Sequence, residues 1–162
     1  MLEIKTLGDE VLRKQSAKIP EIDETIQTLA SDMLETMYGD DGIGLAGPQV
    51  GVTKQIFVCH VQGDRARVFI NPQIIATSPE MVSYEEGCLS IPGMYAEVLR
   101  PAFITVQAWN ERGRPFKIDA EGMLARVVQH EMDHLKGTLF VDHLEEKKRR
   151  RLMKGYEKQV NA

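Results

Sequence analysis

Residues 130–134 read His130-Glu131-Met132-Asp133-His134, a spacing with a chemical meaning. Histidines at i and i+4 of a helix lie on one face, one turn apart. Two imidazole nitrogens can then reach a single ion. Glu131, one step around the helix, can contact a water held by that ion without becoming a ligand. The flanks are apolar, Val127-Val128 before and Leu135 after. Two histidines on one face of such a helix would be costly without a partner, and an ion is such a partner. The pattern reads as a metal-dependent hydrolase in which His130 and His134 bind the metal and Glu131 moves protons.

A catalytic ion usually has three protein ligands and one open position. In one peptidase pattern a third histidine follows at a fixed distance after the glycine. Phe140 occupies that position and excludes it. In another, a glutamate on a downstream helix completes the set. Glu145, Glu146 and Glu157 qualify by position, but they sit in a highly charged helix expected to be exposed. His143 lies further along the chain, and His60 sits in a strand. Cys88, in Glu86-Gly87-Cys88-Leu89-Ser90, is the strong remaining candidate. A glycine beside it allows close backbone approach, and a thiolate suits zinc or ferrous iron. The other cysteine, Cys59, lies in an apolar run and reads as core. Glu86 and Arg100 are expected to form an ion pair that holds the cysteine segment.

These residues need a scaffold, and periodicity supplies an outline of it. Asp9 can cap a short helix through Leu12. Ile22, Ile26, Leu29, Met33 and Met37 predict an amphipathic helix over 21–38, ended by Gly39-Asp40-Asp41-Gly42. A Gly-rich stretch follows, from Gly42 to Gly51. Ile56 to Val61 reads as a buried strand, Gln62 to Arg65 as a turn, Arg67 to Ile70 as the return strand and Gln73 to Thr77 as a third. Glu85 to Met94 reads as irregular at its end. Phe103 to Trp109 and Pro115 to Ala120 make a hairpin. Gly122 to Lys136 is helical and stops at Gly137, and a last helix runs from about Glu145 to Gln159. Hairpins segregated from a few helices indicate an α+β fold.

Bulk properties exclude several classes. The 162 residues predict one domain, 1–162, with 43% hydrophobic and 27% charged content. A net charge of -4 argues against direct nucleic-acid binding as the main activity. The basic run Lys147-Lys148-Arg149-Arg150-Arg151 reads as a solvated helix face. No apolar stretch is long enough to span a bilayer, and Met1 to Lys5 lack the features of a signal peptide. With only two cysteines, a reducing cytoplasm is expected. Gly42-Ile43-Gly44-Leu45-Ala46-Gly47 matches the dinucleotide fingerprint literally. That fingerprint follows a strand and opens a helix, whereas this one follows a helix and leads to a strand, so the match is rejected.

Three segments in order resemble the peptide deformylase family: Gly42-Ile43-Gly44-Leu45-Ala46-Gly47-Pro48-Gln49, then Glu86-Gly87-Cys88-Leu89-Ser90, then Gln129-His130-Glu131-Met132-Asp133-His134. The resemblance runs from the N-terminus to about residue 144. It implies Cys88, His130 and His134 as metal ligands and Glu131 as general acid/base. It implies Gln49 and the Leu89 N–H as donors to the oxyanion. Ile43, Gly44 and Arg126 would border the substrate, with Met123 and the Arg126 stem lining the methionine pocket. The implied fold packs antiparallel sheets around a central helix carrying the histidines. The implied cofactor is one divalent ion, Fe2+ by preference, with Ni2+, Co2+ or Zn2+ as substitutes. The implied substrates are N-formylmethionyl nascent peptides, with the ribosome as a candidate place of encounter and no membrane partner. The segment Gly93-Met94-Tyr95 replaces a stretch that varies across the family and borders the substrate.

Overall fold

The computed structural model describes all 162 residues. Asp23 accepts from the Ile26 N–H and caps helix α1, Glu24–Gly39, so the helix starts later than periodicity alone predicts. Its buried stripe is Ile26, Ala30, Met33 and Met37. Strand β1, Gly44–Ala46, lies inside the Gly-rich stretch. It pairs antiparallel with β2, Ile56–Cys59, through Gly44–Cys59, Leu45–Val58 and Ala46–Phe57. This strand was not expected, because three residues flanked by glycines carry no period of their own.

Strand β2 is buried along its whole length. Ile56 and Val58 pack with the α1 stripe, while Phe57 and Cys59 join the core on the opposite face. A strand covered on both faces reads as a continuous apolar run, which is why Ile56 to Val61 stood out. Strand β3, Arg67–Thr77, is one strand, not the two expected. Asn71 has φ of 50° at the break, and its side chain both accepts from the Ile19 N–H and donates to the Ile19 carbonyl at 2.8 Å. The pairing register shifts there, so Asn71-Pro72 marks a bulge within a strand.

Strands β4, Met81–Cys88, and β5, Ile91–Pro101, form a separate two-stranded sheet. The irregular segment expected over 85–94 is therefore the tip of a hairpin, with Leu89 and Ser90 at the turn. Strands β6, Phe103–Trp109, and β7, Pro115–Glu121, complete the main sheet, whose order is β1-β2-β3-β6-β7. Both sheets are antiparallel, and with the helices they make the α+β fold.

Helix α2, Gly122–Leu135, is the central element, with ten buried residues. Val128, Met132 and Leu135 pack on Phe57, Phe69 and Val106 of the main sheet. Its other side meets the β4–β5 hairpin through Glu86. Helix α3, Glu146–Val160, follows. Its basic run is almost wholly exposed, and Tyr156 is its buried anchor in a third cluster with Ile91, Val98 and Phe140. No helix is long and apolar enough to cross a membrane.

Gly137 stops α2. Its φ is 77°, its N–H donates to the His134 carbonyl, and an added Cβ would stand 2.5 Å from the Arg13 carbonyl oxygen. A left-handed non-glycine residue costs roughly 1–3 kcal/mol before any clash. Gly137→Ala is therefore expected to lower stability by at least that amount, measured as a shift of the urea midpoint against the parent protein.

Candidate active site

Buried helix α2 presents His130 and His134 one turn apart, with ring centroids 5.0 Å apart. Cys88, the last residue of β4, reaches them from the hairpin. One ligand atom from each of Cys88, His130 and His134 lies within 4.8 Å of the others. The Cys88 Sγ and His134 Nε2 are 3.3 Å apart. Zinc-type bonds to sulfur and nitrogen at tetrahedral angles would hold such atoms about 3.5 Å apart. The donor set and its dimensions fit a divalent ion.

The tautomer fits too. His130 Nδ1 lies 2.9 Å from Glu86 Oε1, and a carboxylate can only accept there. Nδ1 therefore carries a proton, which leaves Nε2 as the nitrogen available to an ion. This is the arrangement that orients a metal-binding imidazole. Glu86 also takes Arg100 in a two-pronged pair at 2.6 and 2.9 Å and Arg126 Nη1 at 2.8 Å. Burial alone would raise the Glu86 pKa, but the Arg100 and His130 hydrogen bonds hold it well below the usual carboxylate range. Arg100 reaches on to Asp133 at 2.9 Å.

The expected Glu86–Arg100 pair is thus present, within a larger network. Arg126, expected to border the substrate with its stem, also joins this network through its charge. Its guanidinium is buried and donates to Glu86 and to the Val82 and Val98 carbonyls. An i, i+4 relation to His130 on α2 was the available signal, since both then face the same carboxylate.

Glu131 is 3% exposed, and its Oε1 has no hydrogen-bond partner. Burial pushes its pKa up to about 7. Gly44 lies against it: a Cβ there would collide with the Glu131 carboxylate and stand 2.9 Å from Val127 Cγ1. Gln49 is buried in a 3-10 turn, Gly47–Val50. Its Oε1 accepts from the Ala46 N–H at 2.9 Å, and its Nε2 donates to Ser90 Oγ at 3.0 Å and to Cys88 Sγ at 3.4 Å. Ser90 had no expected role, and a lone serine at a turn carries no sequence signal for one. The Leu89 N–H donates to no other backbone group.

These residues open onto a cavity of about 770 Å³, also lined by Ile43, Met123, Arg126 and Val127. The competing ligand candidates lie outside the cluster. His60 is bonded to the Tyr38 hydroxyl and the Asp64 carbonyl, and His143 to Asp133. Glu145, Glu146 and Glu157 are exposed. Cys59 is fully buried, and burial pushes its thiol up to about 12.

Three converging donors and an unpartnered carboxylate at a cavity floor define a mononuclear metal-dependent hydrolase site. The comparisons with known proteins agree. The sequence model of the family described as polypeptide deformylase matches residues 1–150, and this chain belongs to that family. It is 51% identical over 144 residues to the peptide deformylase of Clostridium botulinum (strain Alaska E43 / Type E3), covering 89% of this chain and 97% of that one. It is 48% identical over 155 residues to that of Treponema pallidum (strain Nichols), covering 96% and 95%. Among solved structures it is similar to the peptide deformylase from Legionella pneumophila, with TM-score 0.94, 40% identity and coverage of 99% and 96%. The peptide deformylase from Ehrlichia chaffeensis in complex with actinonin gives TM-score 0.94 at 38% identity, with coverage of 100% and 99%.

The Glu86 network generates a stability prediction. Glu86→Gln leaves Arg100 and Arg126 buried without their shared countercharge. Breaking a buried pair from one side typically costs about 3–5 kcal/mol. Urea unfolding of the metal-free protein should show a loss of that order. Metal titration should show about 10- to 100-fold weaker binding as His130 loses its orienting partner.

Proposed function

We infer that this chain hydrolyses the formyl group from the N-terminal methionine of newly made proteins, releasing formate, with the residues above in distinct roles. The observation that carries the reading is the unpartnered, buried Glu131 Oε1 beside the Cys88–His130–His134 cluster. A carboxylate in that position has no structural partner and is free to move protons. Cys88, His130 and His134 would hold the ion. A thiolate with two imidazoles suits Fe2+, and also Ni2+, Co2+ and Zn2+. When bound, the ion supplies Lewis acidity toward the attacking water and the formyl carbonyl.

Glu131 accepts a proton from the attacking water. Burial helps here, since it brings the carboxylate close to neutrality, where uptake and release are both accessible. As the formyl carbon becomes tetrahedral, negative charge grows on its oxygen. The Leu89 N–H donates to that oxygen. Gln49 Nε2 joins by giving up its 3.4 Å contact to Cys88 Sγ, the weaker of its two bonds. Ser90 Oγ and the Ala46 N–H keep the amide plane fixed meanwhile. One such preorganised donor is typically worth about 3–4 kcal/mol of barrier. Glu131 then passes its proton to the leaving amine. Water and formamide thus become formate and a free N-terminus.

Ile43 and Gly44 border the bound peptide from β1. Met123, Val127 and the Arg126 stem line the methionine pocket, the stem acting as hydrocarbon because its charge is engaged by Glu86. Nascent formylmethionyl chains are the substrates, encountered in the cytoplasm at or near the ribosome.

Formate release from formyl-Met-Ala-Ser by metal-loaded protein tests the activity directly. Glu131→Gln should retain metal and substrate affinity while its rate falls by about 10²- to 10⁴-fold. Cys88→Ala and His134→Ala should lose metal as well as activity, and Cys59→Ala should keep both. Metal loss in Glu131→Gln would make that residue a ligand instead.

The choice of ion has its own test. A thiolate-ligated ferrous site is prone to oxidation at iron and sulfur. The iron-loaded protein should lose activity in air while the nickel-loaded protein keeps it. Equal lifetimes would favour zinc as the native ion.

A further inference from the structure

The two donors assigned to the oxyanion come from parts of the chain that no ladder joins. Gln49 stands in the 3-10 turn after β1, on the side of the main sheet. The Leu89 N–H stands at the tip of the β4–β5 hairpin, which is a sheet of its own. One side-chain bond, from Gln49 Nε2 to Ser90 Oγ, links them directly. A stretch of chain that belongs to neither sheet makes the other links.

That stretch is residues 4–7. The Lys5 N–H donates to the Gln49 carbonyl at 2.7 Å, and the Leu7 N–H donates to the Ser90 carbonyl at 2.8 Å. In an extended chain the N–H groups of alternate residues leave the same edge, so one short stretch reaches both donor segments. Its side chains divide in the same way. Ile4 packs in the cluster that holds Leu89, and Leu7 packs in the cluster that holds Cys88 and Ile91. The stretch is itself tied at both ends. The Leu2 N–H donates to Thr36 Oγ1 of α1 at 2.8 Å, and Arg13 reaches the Gly137 carbonyl at 3.2 Å and Asp142 at 2.6 Å.

We propose that the backbone of Lys5 and Leu7 is a splint that sets the spacing of the two oxyanion donors, which makes both of them positioning residues for the reaction. The inference rests on the deformylase reading and deepens it. The Lys5 bond holds the residue whose amide donates, and the Leu7 bond holds the residue after Leu89. Neither bond touches a metal ligand. Charge on the formyl oxygen grows only as the transition state forms, so donor spacing matters there and not in peptide binding. A misplacement of about 1 Å can cost about 10²-fold in rate.

Proline removes an N–H while keeping the chain continuous. Position 7 suits it. The Asp9 N–H closes a turn on the Thr6 carbonyl at 3.0 Å, Gly8 has φ of 108°, and Leu7 keeps a negative φ. Proline is favoured at the second position of such a turn. In metal-loaded Leu7→Pro and Lys5→Pro, kcat on formyl-Met-Ala-Ser should fall by about 10- to 100-fold, with KM within about twofold of the parent and metal content unchanged. Leu7→Ala and Lys5→Ala lose the same side chains but keep the N–H, and they should recover most of kcat. In a Gln49→Ala background the further loss from Lys5→Pro should shrink to about twofold, because changes that act through one group do not add. If a proline variant does not fold, an ester replaces the amide at that position, in full-length protein made by joining synthetic residues 1–16 to a chain beginning at Ala17→Cys, and the same loss is expected. Parent-like kcat in a folded variant lacking either N–H would overturn the splint. So would a loss carried by KM or by metal content, or an undiminished further loss in the Gln49→Ala background. Each of these leaves the deformylase reading intact, whereas no formate from the parent protein would overturn both.

Discussion

Glu86 is 5% exposed, yet its carboxylate receives Arg100, Arg126 and His130. Desolvating such a charge is expensive, and only close, complete pairing compensates. The pairing has a geometric result. Arg100 comes from β5, Arg126 and His130 from α2, and Glu86 itself from β4, so one carboxylate fixes the hairpin to the central helix. Cys88 is two residues along β4, which places its sulfur beside the two histidines. The hairpin shares no ladder with the main sheet. This junction, together with the apolar cluster around Ile91 and Val98, holds the thiol against the imidazoles.

The other half of the site is positioned by apolar packing. Val128 and Met132 seat α2 against Phe57, Phe69 and Val106, and α1 backs the same sheet from behind through Met33 and Met37. Strand β1 then lies along α2, close enough that only glycine fits at position 44 beside Glu131. On that side Glu131 is met by the glycine backbone. Its Oε1 has no hydrogen-bond partner, in contrast to the satisfied carboxylate of Glu86.

What was legible in the sequence was mostly local. His130, Glu131 and His134 declare themselves because a helix turns their spacing into a common face, and α1 declares itself through its stripe. Cys88 emerged from its glycine neighbour and from the ordered family motifs. The β4–β5 hairpin did not, because Ser83, Glu85 and Glu97 give its outer face no apolar alternation, and its inner face is held by the Glu86 network across long sequence separations. Strand β1 was hidden by glycines that are there for Glu131 and the close approach of chains. Asn71 looked like a strand break because its tie to Ile19 is invisible until the chain is folded. The ties of Arg126 to Glu86, Val82 and Val98 were hidden for the same reason, since those partners lie on β4 and β5.

The order of the main sheet leaves β7 with one side unpaired by any other strand. Along it, Pro115, Lys117, Asp119 and Glu121 are exposed, alternating with the inward-facing residues. A proline cannot donate to an added ladder, and charges of both signs would have to surrender their water to let another strand approach. The open border of the sheet is therefore a poor template for β-sheet growth. A chain that must present unpaired strands while it folds is thereby guarded against aggregation along this edge.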